Sequence, residues 1–75
     1  MVRLPVVSGK ALVAALKKAG FEEVRQKGSH LALQKITPDR TYRTIIPLHR
    51  ELAKGTLRDI LNQTGLSKED LVRLL

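Results

Sequence analysis

Seventy-five residues, 43% of them hydrophobic, carry 14 Lys and Arg against 7 Asp and Glu, a formal charge of +7 at neutral pH. A chain this short makes one domain, residues 1–75. It buries only about 60% of the surface its unfolded form exposes, so its core comes from two packed layers, with no room for a nucleotide-binding α/β domain or a barrel. With no cysteine there is no disulfide framework and no thiolate zinc site, which suits a cytosolic chain better than a secreted one.

Two histidines and seven carboxylates are a poor ligand supply, so neither a metal nor another cofactor is expected. The longest apolar run, Ala11 to Leu16, is far short of the roughly 20 residues a membrane span needs. Met1 to Pro5 has no signal-peptide pattern. The charge is uneven: residues 1–27 carry six basic and two acidic side chains, 28–50 four and one, and 51–75 four and four. An excess confined to the first 50 residues predicts a face that attracts a polyanion, nucleic acid before others. Phe21 and Tyr42 are the only aromatics, too few for stacking bases, which leaves phosphate, sugar or shape contacts.

In chain order, Ser8 is a good N-cap for a helix in which Leu12, Ala15, Leu16 and Ala19 recur at helical spacing, with Gly20 ending it. Phe21 to Lys27 reads as a strand, with Phe21 and Val24 as its strongly apolar residues, and Gly28-Ser29 as a tight turn. In the second strand, His30 to Ile36, Leu31 and Leu33 point one way and His30, Ala32 and Gln34 the other. Thr37-Pro38-Asp39-Arg40 signals a turn. The β-branched and aromatic run Thr41 to Ile46 is the third strand, closed by Pro47.

Leu48 to Gly55 reads as irregular, and Thr56 begins a second helix with Asp59 at capping-box distance and Leu57, Ile60 and Leu61 as its buried stripe; Gly65 stops it. Ser67 and Asp70 repeat the start signal for a short last helix carrying Leu71, Val72, Leu74 and Leu75. The predicted architecture is α+β: helices on one face of a three-stranded antiparallel meander, the other face open. This α-β-β-β-α order, with an extra C-terminal helix, is that of a double-stranded-RNA-binding-like fold.

Histidine is the side chain whose ordinary pKa lies closest to neutrality, so acid-base chemistry would most simply use His30 or His49. His30 is the better choice: it follows the Gly28-Ser29 turn and points away from Leu31 and Leu33. Lys27, Lys35, Arg25 and Arg43 lie on its strand or the neighbouring ones. His49 reads as structural, tying down the irregular segment through backbone or a carboxylate such as Glu51.

Gly28-Ser29-His30, Pro47-Leu48-His49, Lys54-Gly55-Thr56-Leu57 with Ile60-Leu61, and Gly65-Leu66-Ser67, in this order, resemble the HicA (YcfA-like) family of toxins. Ser8-Gly9-Lys10 and Ala19-Gly20-Phe21 extend the resemblance over nearly the whole chain. The resemblance implies a double-stranded-RNA-binding-like fold and an endoribonuclease of a type II toxin-antitoxin system that cleaves mRNA and is neutralised by a HicB antitoxin. Its catalytic histidine falls on His30; Asp70-Leu71-Val72 departs from the family's usual acidic residue followed by Phe.

The expected mechanism is metal-independent, with His30 as general base, Lys27, Lys35 and Arg43 as cations for the phosphate, and Gly28 and Ser29 shaping or touching the RNA site. A non-catalytic double-stranded-RNA binder would use the same surface. A DNA-binding helix-turn-helix from the last two helices is disfavoured by the neutral charge of residues 51–75.

Overall fold

A computed structural model describes residues 3–75. The elements run α1 (Gly9–Lys18), β1 (Glu22–Lys27), β2 (His30–Ile36), β3 (Thr41–Pro47), α2 (Lys54–Thr64) and α3 (Lys68–Leu74). The strands form one antiparallel meander in the order β1-β2-β3, with the helices on a single face, as the alternation of Leu31 and Leu33 predicts.

Ser8 caps α1, its hydroxyl accepting from the Ala11 N–H at 3.0 Å. Leu12, Ala15 and Leu16 are buried as expected, and Val13 joins them. The chain turns out of α1 at Gly20, and Phe21 lies just before β1 rather than in it. Its N–H still bonds the Leu16 carbonyl at 3.0 Å, and its ring is buried. Every residue of β1 is exposed. A bulge between Glu23 and Arg25 sets Val24 outside the regular register, and Val24 is 52% exposed rather than a core residue.

The core joins Leu12 and Leu16 of α1, Leu33 of β2, Ile46 of β3, Leu57 and Ile60 of α2, and Leu71 of α3, all fully buried. Burying each such side chain contributes about 1.5–3 kcal/mol. α2 lies against β3, where the Thr44 hydroxyl donates to the Gln63 side-chain carbonyl at 2.8 Å.

The sequence signals for β3 and α2 need two corrections. Pro47 is the last residue of β3 rather than the residue after it. It sits across from His30, and the next ladder bond, from the Leu48 N–H to the Ser29 carbonyl at 2.7 Å, marks His30 and Pro47 as a non-hydrogen-bonded pair. At such a position on an edge strand the proline nitrogen points out of the sheet, so its missing N–H costs no bond to β2.

α2 starts two residues before Thr56, with Ala53 as an N-cap lacking any side-chain bond, and the Thr56–Asp59 capping box is not formed. The preceding segment decides the start. Leu52 is buried, with its N–H on the Val7 carbonyl at 2.9 Å, so the chain enters the helix immediately beyond that anchor. Gly65 ends α2 as read, and Ser67 with Asp70 forms the full capping box of α3.

Candidate functional site

The helix-free face of the sheet can be read from its register. Three rows cross it: Lys27, His30 and Pro47; Arg25, Ala32 and Ile45; Glu22, Gln34 and Arg43. Residues paired across strands share a face, and successive rows on one face lie about 7 Å apart along the strands. An open hollow of about 1050 Å³ is lined by Arg25, Lys27, His30, Arg43 and Ile45 of this face, and also by Leu33, Thr44 and the α2 residue Gln63.

His30 is exposed at one end of the hollow, the first residue of β2. Its position is fixed from two sides. On one, the two-residue Gly28-Ser29 connection joins it to Lys27, with Gly28 at φ 59° and Ser29 at negative φ. Glycine at the first central position is the mark of a type II′ turn, whose twist matches the strands it joins. On the other side Pro47 stands directly across, in the pair geometry that brings side chains closest.

The sequence-predicted site residues divide. Lys27 is in the His30 row, and Gly28 and Ser29 form the turn beside it, with Ser29 exposed. Arg43 is on the same face but in the Gln34 row, about 13 Å along the sheet from the histidine row. Lys35 is on the other face: it pairs with Tyr42, shares the parity of Leu31 and Leu33, and holds its ammonium 5.9 Å from the Phe21 ring centre. Its stem covers an apolar ring while its charge reaches water.

Arg25, noted in the sequence only as a neighbour, is one row from His30. The signal for it was the strand period, because Arg25 and Lys27 are two apart. His49 does tie down the segment after β3, but through its backbone carbonyl, which accepts from the Gly9 N–H at 2.9 Å; its imidazole is exposed. Among the described residues no three His, Asp or Glu side chains gather in a metal-binding group.

The fold and this face define a small α+β domain of double-stranded-RNA-binding-like order, with one histidine at the end of a cationic, helix-free sheet surface. The family model described as the HicA toxin of bacterial toxin-antitoxin systems matches residues 9–66. The chain belongs to the HicA toxin family, and membership implies an antitoxin partner. The match takes in α1, the sheet and α2 and stops before α3. No curated protein matches the chain. No helix among the described residues is long and apolar enough to cross a membrane.

Proposed function

We propose that this chain is an endoribonuclease that cleaves mRNA, with His30 as the catalytic base, and that a HicB-type antitoxin inhibits it by covering the same face. The observation that carries this reading is the His30 row: an exposed imidazole with Lys27 directly across on one side, Pro47 on the other, and Arg25 one row away. Membership of a toxin family supports it.

In this mechanism neutral His30 accepts the proton of a ribose 2′-hydroxyl as that oxygen attacks the adjacent phosphorus. The bond from phosphorus to the 5′-oxygen breaks, and the leaving oxygen takes up a proton from water. A positioned base supplies about 10²–10⁴-fold of the acceleration. Lys27 and Arg25 stabilise the charge that builds on the phosphorane oxygens. Arg43, farther along the face, holds the RNA strand rather than the reacting phosphate, and Ser29 offers its hydroxyl beside the turn. Lys35 faces away and has no part in the chemistry. The excess positive charge that draws RNA equally draws an acidic antitoxin.

Product ends test the mechanism. Cleavage in EDTA that leaves a 2′,3′-cyclic phosphate and a 5′-hydroxyl is the expected result; a 3′-hydroxyl end or strict dependence on magnesium contradicts it. RNA binding by the purified chain with no cleavage would instead fit a non-catalytic double-stranded-RNA binder.

A further inference from the structure

We infer that Gly9 is a positioning residue for His30, acting through the segment that follows β3. The inference rests on the nuclease reading of His30 and adds to it a residue remote in sequence. Gly9 is the first residue of α1 and is buried. A Cβ there would lie 2.8 Å from the Leu48 Cα and closer still to the Pro47 carbonyl oxygen, so no side chain fits without moving backbone. Helix propensity favours alanine over glycine; close approach of two backbones explains the glycine.

What Gly9 approaches is the element that fixes His30. Pro47 is the cross-strand partner of His30, and the Leu48 N–H bonds the Ser29 carbonyl at 2.7 Å, immediately before the histidine. The His49 carbonyl accepts the Gly9 N–H at 2.9 Å, and the Val7 carbonyl accepts the Leu52 N–H at 2.9 Å. Residues 47–52 are thereby clamped between the entry to α1 and the turn that carries His30. Any side chain at position 9 pushes Pro47 and Leu48 away from α1, and the displacement passes through one short hydrogen bond to the backbone of Ser29. The His30 side chain is exposed, so its place is set by its backbone pairing with Lys27 and Pro47.

The test compares Gly9→Ala with Ile60→Val, a core substitution on α2 away from the clamp. Rates are measured on an unstructured RNA oligonucleotide, at a temperature where circular dichroism shows both variants folded, and the His30 ring resonances are recorded by NMR. The expected result for Gly9→Ala is a kcat lowered roughly 10–100-fold, the range for displacement of a catalytic group by about 1 Å, with KM within twofold and the His30 ring resonances shifted. Ile60→Val keeps the wild-type kcat and resonances.

Should Gly9→Ala not fold, replacing the Leu48 amide by an ester, which removes the donor to Ser29 and weakens the Pro47 carbonyl as an acceptor, must produce the same loss of kcat and the same shift. Wild-type kcat and unshifted resonances in folded Gly9→Ala, or in the ester where that variant does not fold, overturn the inference, as does an equal loss of kcat in Ile60→Val. Failure of the nuclease reading looks different: wild type would then bind RNA without cleaving it, or His30→Ala would cleave as well as wild type, whatever Gly9→Ala does.

Discussion

Lys27 and His30 face each other because a two-residue turn joins β1 to β2, and that turn requires a positive φ at its first central position. An ideal Cβ at Gly28 meets nothing within 4 Å, so the requirement is purely conformational. Gly28→Ala is therefore expected to lower stability by about 1–3 kcal/mol, the cost of holding an L-residue in a positive-φ conformation that glycine adopts freely. Urea unfolding measures it, and no loss would mean that the hairpin tolerates another turn.

Alanine at Gly28 also strains the connection that brings Lys27 to the histidine, so cleavage is expected to fall with stability. Gly9 is demanding for a different reason: its backbone is ordinary, but its Cβ position is occupied by the chain after β3.

Among the elements, those whose signals are local were legible in the sequence. The Ser8 cap of α1, the alternation of β2 and the Ser67–Asp70 box of α3 each depend on residues within a few positions of one another. The signals that misled were overridden by tertiary structure. Thr56 and Asp59 have capping-box spacing, yet the anchor at Leu52 starts α2 earlier. Val24 is apolar, yet it falls on a bulge in a strand no helix covers. Lys35 is a different case, legible from local period: it lies an odd number of residues from His30, on the parity of Leu31 and Leu33, and so on the helix-covered face.

The α3 box also makes a pH prediction. The Asp70 carboxyl is held below the usual carboxylate range, first by the Ser67 backbone N–H and then by the Ser67 hydroxyl, with Arg73 adding to both. A carboxylate favoured in the folded state contributes stability above its unfolded pKa, about 4, and loses it as the pH falls through the lower folded value. The difference in melting temperature between wild type and Asp70→Asn should shrink as the pH is lowered from 5 towards 2. A difference that stays constant over that range would show that the carboxylate charge plays no part.

At the scale of the whole molecule, the separation of faces divides the labour. The helices cover one side of the sheet with the core, and the other side presents Arg25, Lys27 and Arg43 around a hollow that ends at His30. The surplus positive charge predicts RNA affinity that falls with salt. If these three cations each neutralise one phosphate of a single strand, the logarithm of the binding constant should fall with the logarithm of salt concentration with a slope of about −2.

Alanine at Arg25, Lys27 or Arg43 should each reduce that slope by roughly 0.7, while Lys35→Ala, on the opposite face, leaves it unchanged. Filter binding over a salt series gives these slopes, and an effect of Lys35→Ala equal to the others would move the RNA path off the helix-free face.

The central claim is that this face ends in a catalytic base. Its most direct test is the cleavage rate of purified His30→Ala on an RNA that wild type cuts, with binding and melting measured on the same preparations. Binding within about twofold of wild type, unaltered melting and cleavage lower by at least about 10²-fold is the predicted result. Cleavage by His30→Ala at the wild-type rate would contradict it.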